Sequence, residues 1–156
     1  MSELATRLEG IRQRIESAAM RAGRDPASVR LMAVTKNHPA QTVAEAVQLG
    51  LDLMGENRVQ EAKAKIPQCP ARARWHFIGH LQSNKARDAA ALFEMVQGVD
   101  SLAIASELDK QAAKLGRRLG ILLEVNVAGE SSKFGWNPDA AVAAIPALNE
   151  IGRAHV

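Results

Sequence analysis

The fold of this chain is decided by the stretch from residue 31 to residue 36, Leu31-Met32-Ala33-Val34-Thr35-Lys36. The stretch is a short apolar run that carries β-branched side chains, and polar residues with a proline close it at positions 37–39. This pattern is typical of a buried strand and not of a helix. Lys36 would be the last residue of that strand, at the carboxyl end, where parallel α/β sheets and barrels bind their ligands.

Lys36 has two interpretations. Apolar neighbours on its face of the strand, Met32 and Val34, would remove water from the ammonium group and favour the neutral amine. A neutral amine can attack an aldehyde and form a Schiff base. The alternative is a solvated lysine that simply leaves the sheet, and the strand alone favours this alternative because lysine is rarely buried.

Composition indicates one ordinary globular domain. The chain has 156 residues, of which 47% are hydrophobic and 24% are charged. Its net charge of +3 is scattered and its aromatic content is only 3%, so we expect no nucleic acid partner. We also expect no membrane span, no secretory signal and a cytoplasmic location. Cys69 is the single cysteine, and we expect a free thiol without a role.

Strands and helices alternate along the sequence. An amphipathic helix is predicted over the first 22 or so residues, and strands are predicted to begin near residues 31, 51, 75, 95 and 121, each followed by a helix. Gly55 is expected to break the second strand. Such alternation predicts a parallel sheet with right-handed crossovers, either an open doubly wound sheet or part of a barrel. Short loops and even spacing favour the barrel.

Polar groups and a glycine follow the predicted strands. They are Lys36; Glu56 and Asn57; Gly79, His80 and Gln82; Asp100 and Ser101; and Asn126 with a loop that holds Ser131, Ser132 and Lys133. In a parallel sheet these residues would converge on one rim. A helix cap is an equally good interpretation of Asn57. His76 is better explained as a hydrogen-bonded core histidine than as a ligand or a base. No metal-binding spacing, Ser-His-Asp set or phosphate-binding glycine motif is present in the sequence.

Four motifs make the sequence recognisable. They are Ala33-Val34-Thr35-Lys36, Gly55-Glu56-Asn57-Arg58-Val59-Gln60-Glu61, Trp75-His76-Phe77-Ile78-Gly79-His80-Leu81-Gln82-Ser83-Asn84-Lys85 and Ser132-Lys133-Phe134-Gly135. Together they resemble the pyridoxal phosphate homeostasis proteins, also called the proline synthase co-transcribed family. The motifs stand in the family's order, and the resemblance covers nearly all of residues 1–149.

The resemblance implies a barrel of the alanine racemase N-terminal type that holds pyridoxal 5'-phosphate (PLP) as a Schiff base on Lys36. It further implies intracellular PLP homeostasis without established catalytic turnover, with PLP-dependent apoenzymes as candidate recipients. Asn57 would lie near the cofactor ring, and Lys133 would be the lysine of the Ser-Lys-x-Gly loop. With the strand-end residues Gly79, His80 and Asn126, they form the expected cofactor site. We expect no catalytic residue, no metal and a monomer.

The resemblance stops in the helix after the fifth strand. The family's last three β/α units are missing, together with its phosphate-binding loops and the arginine that faces the pyridine nitrogen, so we expect a truncated barrel with an extra N-terminal helix. Residues 150–156 match the translation of a common sequencing adapter. We therefore expect a partial domain over residues 1–149, followed by a non-native tail.

Three other functions remain open at this point. The first is a PLP-dependent racemase or decarboxylase, which on this barrel would need an acid/base residue from a second domain. The second is an aldolase barrel that forms a Schiff base with a sugar phosphate. The third is an interaction module in which Lys36 is merely solvated, and it predicts no covalent reaction with PLP.

Overall fold

A computed structural model describes residues 2–153. The helices are α1 (Glu3–Arg21), α2 (Ala40–Gln48), α3 (Val59–Lys65), α4 (Ala86–Leu92), α5 (Leu102–Lys114) and α6 (Pro138–Arg153). The strands are β1 (Ala33–Val34), β2 (Leu53–Glu56), β3 (Arg74–Phe77), β4 (Met95–Val99) and β5 (Gly120–Leu123). Short 3-10 turns lie at Pro26–Ser28, Ile66–Gln68 and Ser83–Lys85. No helix within residues 2–153 is long and apolar enough to cross a membrane.

The five strands form one sheet in the order β1-β2-β3-β4-β5, and every neighbouring pair is parallel. The pairs are parallel because each strand is followed by a helix that returns the chain to the sheet's other end, and each strand pairs with the next one along the chain. The predicted α/β fold is therefore confirmed as five parallel β/α units of a partial barrel, preceded by α1. All five carboxyl ends lie at one rim of the sheet.

The core lies between the sheet and the helices. Its side chains come from one face of the strands, such as Met54, Phe77 and Val96, and from the facing sides of the helices. Phe77 and Phe93 sit at its centre with ring centroids 5.2 Å apart and tilted by 51°, an arrangement worth about 0.5–1.5 kcal/mol beyond burial. Helices thus cover one face of the sheet, and that face holds the domain together.

The other face of the sheet, which would be the inside of a closed barrel, is open in the part of the chain that the structure describes. Val34 in β1 is 47% exposed and Leu122 in β5 is 49% exposed. The prediction of a buried first strand was therefore wrong. Only one face of β1 meets the helices, so Val34 on the other face is left about half exposed.

The second strand continues through Gly55, where the sequence predicted a break. Gly55 pairs with Val34 on one side and with His76 on the other. A β-carbon at position 55 would lie 3.2 Å from Ile78 Cδ1 and 3.3 Å from Met32 Cε. Glycine is used here because neighbouring side chains occupy the space above the strand, and not to turn the chain.

The last helix, α6, follows the fifth strand as predicted and runs from Pro138 to Arg153. It includes the first four residues of the expected non-native tail, and the half-buried Ile151 packs against the core. Residues 154–156 of that tail lie outside the described residues. The domain boundary at residue 149 and the foreign origin of the tail stay predictions.

Candidate functional site

Lys36 lies in a turn that begins two residues after β1, at the carboxyl rim of the sheet. Its side chain is exposed. Among the described residues no hydrogen bond or ion pair engages its ammonium group. Of the two interpretations of Lys36, the shielded amine does not fit the structure, because Val34 on the same face of the strand is itself exposed. Lys36 is an accessible amine that has no partner within residues 2–153.

The backbone on both sides of Lys36 is held firmly. The Thr35 amide donates to Gly55 O at 2.9 Å, and the Thr35 carbonyl accepts from Lys65 Nζ at 2.9 Å. The backbone N–H of Asn37 donates to Glu61 Oε1 at 2.9 Å. Asn37 has a φ of 63°, a left-handed conformation that asparagine tolerates better than most residues. The accessible amine thus stands on a short turn anchored at each end.

A buried polar cluster lies behind the sheet, directly under this turn. Glu56 Oε1 accepts from Thr35 Oγ1 and from Lys65 Nζ, each at 2.7 Å, and Glu61 Oε1 is 3.7 Å from Lys65 Nζ. Thr35 is 4% exposed, Glu56 0% and Lys65 8%. Glu56 Oε2 has no hydrogen-bond partner in the described residues. The sequence predicted Glu56 as one of the rim residues. Its carboxylate instead faces the helices and accepts hydrogen bonds from Thr35 and Lys65 beneath the turn.

Asn57 is not a helix cap. The residue that caps α3 is Arg58, and no side chain accepts a hydrogen bond there. Asn57 is half-buried, and its side chain makes no hydrogen bond within residues 2–153. The side-chain amide of Asn57 therefore has no hydrogen-bond partner at the rim within residues 2–153, and the interpretation of Asn57 as a helix cap is excluded.

Gly79 is required by the close approach of two backbones. A β-carbon at position 79 would lie 2.3 Å from the Asn57 carbonyl oxygen. The same packing continues around the rim, because a β-carbon on Gly98 would lie 2.4 Å from the Gly79 carbonyl oxygen. The residues after β2 and β3 can approach this closely only with glycine at position 79.

His80 connects the rim to the loop that follows β5. Its Nδ1 lies 3.2 Å from Asp100 Oδ2, and its ring stacks on Phe134 with centroids 3.6 Å apart and an interplanar angle of 11°. Phe134 is otherwise 58% exposed. The histidine therefore holds the Ser-Lys-Phe-Gly loop against the strand ends.

Asn126 organises the same loop from within. Its Nδ2 donates to the carbonyl oxygens of Glu130 at 2.8 Å and of Lys133 at 3.5 Å. Lys133 Nζ pairs with Glu130 Oε1 at 2.8 Å and remains 62% exposed. Trp136 closes the loop by donating from Nε1 to the Val99 carbonyl oxygen at 2.9 Å. Lys133 is thus a cation on a loop fixed to the rim.

His76 is a core histidine, as predicted. It is 6% exposed, and its Nδ1 lies 3.0 Å from Gln97 Nε2. Burial lowers the pKa of His76, which favours the neutral ring. A neutral Nδ1 accepts the hydrogen bond that the Gln97 amide donates.

The predicted residues thus form two connected groups and one separate member. One group lies at the ends of β2 and β3 and consists of Asn57, Gly79 and His80. The other lies in the loop after β5 and consists of Asn126 and Lys133, and Phe134 of that loop stacks on His80. Lys36 lies at the same rim, with no hydrogen bond to either group in the described chain. Residues 2–153 contain no group of His, Cys, Asp and Glu side chains that could hold a metal ion.

Sequence reasoning missed Lys65, Glu61 and Phe134. Lys65 and Glu61 are spaced by four residues on α3, a signal for an ion pair, but this spacing is ordinary on exposed helices. Phe134 enters the sequence argument only as part of a motif, although an exposed aromatic residue in a polar loop indicates a contact.

Comparison with known proteins assigns the family. The family model of the alanine racemase N-terminal domain matches residues 7–156. The pyridoxal phosphate homeostasis protein of Pseudomonas aeruginosa is 44% identical over 153 residues, and that of Escherichia coli is 39% identical over 158 residues. These alignments cover 96% and 95% of this chain. The chain belongs to the pyridoxal phosphate homeostasis protein family.

A solved structure resembles this chain over most of its length. The structure of PipY from Synechococcus elongatus with PLP bound aligns with a TM-score of 0.74 and 41% identity, over 88% of this chain and 64% of PipY. The chain spans 64% of the length of the Pseudomonas aeruginosa homeostasis protein and 68% of that of the Escherichia coli protein.

Proposed function

We propose that this chain binds PLP covalently through Lys36 and belongs to a protein that maintains the cell's supply of this cofactor. The observation that carries the proposal is the accessible, unpartnered amine of Lys36 on a turn anchored at both ends. Support also comes from the relatives, which are named for PLP homeostasis, and from the PLP bound to PipY.

The rim residues have the chemistry that PLP requires. The Lys36 amine would hold PLP, and the cofactor would supply the aldehyde that condenses with this amine with loss of water. The unused amide of Asn57 supplies hydrogen-bond donors and an acceptor for the ring substituents. Lys133 supplies a cation for a dianionic phosphate, His80 and Asn126 keep its loop at the rim, and Gly79 allows the close approach of the Asn57 backbone.

We further propose that the protein holds and transfers PLP without turning over a substrate, and that PLP-dependent apoenzymes receive it. The names of the relatives support a homeostatic role and describe no reaction. A racemase or decarboxylase would consume or racemise an amino acid in the presence of PLP. We expect no such change for alanine or for basic amino acids, monitored by chiral chromatography.

A binding titration tests the proposal. PLP is added to the purified chain, to Lys36→Ala and to Lys114→Ala, and protein-linked PLP is measured by visible absorbance after removal of free cofactor. Lys114 is an exposed lysine in the last turn of α5, at the opposite end of the sheet, and it controls for nonspecific reaction. We expect weak but saturable absorbance for the unaltered chain and Lys114→Ala, because the family's phosphate-binding loops are missing, and its loss in Lys36→Ala. Equal absorbance in all three would refute the proposal.

A further inference from the structure

We infer that Lys65 and Glu61 are positioning residues for Lys36, which act by fixing the backbone on either side of it. The inference rests on the proposed function. Lys65 Nζ donates a hydrogen bond to the Thr35 carbonyl oxygen, and Glu61 Oε1 accepts one from the Asn37 backbone N–H. The two residues next to Lys36 are therefore each bonded to α3. We call these two contacts the α3 clamp.

The Lys65 half of the clamp is a buried charge, whereas the Glu61 side chain is 28% exposed. Lys65 is 8% exposed, and its ammonium group contacts Glu56 at 2.7 Å, Thr35 O at 2.9 Å and Glu61 at 3.7 Å. A buried ammonium group needs such partners, because each one that it loses leaves an uncompensated charge away from water. The cost of breaking any of these contacts therefore keeps Lys65 in place.

The contacts determine where the Lys36 side chain begins. β1 is only two residues long and ends before Lys36, so the sheet alone does not hold this turn. The turn has its own bond from the His38 backbone N–H to Thr35 O at 3.0 Å, and Asn37, at a sparsely populated φ of 63°, is in addition bonded to Glu61. Holding a reactive group in one geometry accelerates its reactions, since less freedom is lost when the bond forms.

Glu61 offers the cleanest variants. Glu61→Ala removes the acceptor for the Asn37 amide but leaves Lys65 paired with Glu56. Glu61→Gln keeps an oxygen acceptor and removes only the charge, so it is the conservative rescue. Lys65→Met tests the other contact, and Lys63→Met is its matched control because Lys63 lies on the same helix in an exposed pair with Asp88.

Two measurements are made on each variant. The first is hydrogen exchange of the Asn37 amide without PLP, and the second is the rate at which Lys36 becomes labelled by PLP and borohydride, with the peptide identified by mass. In Glu61→Ala we expect both Asn37 exchange to accelerate and Lys36 labelling to slow by about tenfold, the effect of one lost hydrogen bond. Lys65→Met should slow labelling at least as much, while Glu61→Gln and Lys63→Met should stay within about twofold of the unaltered chain.

The outcomes separate the inference from the proposed function. If Glu61→Ala is labelled at the unaltered rate, or if its Asn37 amide stays protected, the inference is wrong even when PLP binds at Lys36. If the unaltered chain is not labelled at Lys36, the proposed function is refuted, and the exchange data alone then judge the clamp. If Lys65→Met fails to fold, the comparison of Glu61→Ala with Glu61→Gln still tests the inference.

Discussion

Replacement of Gly79 by alanine would force apart the backbones that form the rim. The new β-carbon would lie 2.3 Å from the Asn57 carbonyl oxygen and 3.0 Å from Asn57 Cα, so these atoms must separate by about 1 Å to reach ordinary contact at 3.4 Å. That movement strains the neighbouring bond from the Ile78 amide to Glu56 O, now 2.8 Å. Overpacking of this kind costs about 1–3 kcal/mol, and the weakened hydrogen bond adds about 1 kcal/mol.

Gly10→Ala is the matched control. Gly10 lies inside α1, and no atom outside the backbone of that helix lies within 4 Å of the place a β-carbon would take, so alanine should stabilise the helix by about 0.5–1 kcal/mol. Urea unfolding is followed by the fluorescence of Trp75, which is 5% exposed in the folded chain. We expect the midpoint to rise in Gly10→Ala and to fall sharply in Gly79→Ala. An unchanged midpoint in Gly79→Ala would refute the steric argument.

Three further predictions concern His76, Cys69 and Phe134. Because burial lowers the pKa of His76, the unfolded chain takes up a proton near pH 6.5 that the folded chain resists, so the free energy of unfolding should fall as pH drops from about 7 to 5. His76→Gln should flatten that slope, and a slope that persists would contradict the assignment. Burial raises the pKa of Cys69, so iodoacetamide should modify it more slowly in the folded chain than in urea at about pH 7; equal rates would argue against this. Phe134→Ala removes the stack on His80, worth about 1 kcal/mol, so hydrogen exchange over residues 130–136 should accelerate about fivefold, whereas unchanged exchange would mean that the stack does not hold the loop.

Much of the fold follows from local patterns. The strand predicted to begin near residue 95 begins at Met95 in the structure, and a helix follows the fifth strand as predicted, because an apolar run between polar residues and a proline at a helix start are signals within a few residues. Alternation of such elements then determines a parallel sheet. The fold class was predictable for this reason.

The surroundings of Lys36 were not predictable in the same way. Whether Lys36 is shielded depends on what covers the open face of β1, and the sequence of the strand says nothing about that. Lys65 becomes buried because it meets Glu56 from another element, and such a contact has no local signature. The continuation of β2 through Gly55 likewise depends on Met32 and Ile78, which are distant in sequence.

The most direct test of the account is identification of the lysine that PLP modifies. The chain is incubated with PLP at a ratio of about one to one, reduced with borohydride and digested, and the labelled peptides are quantified by mass spectrometry. The account predicts that the label lies on Lys36, the accessible amine at the rim, and that it disappears from this peptide in Lys36→Ala. A label spread over many lysines, or concentrated on a lysine away from the rim, would contradict it.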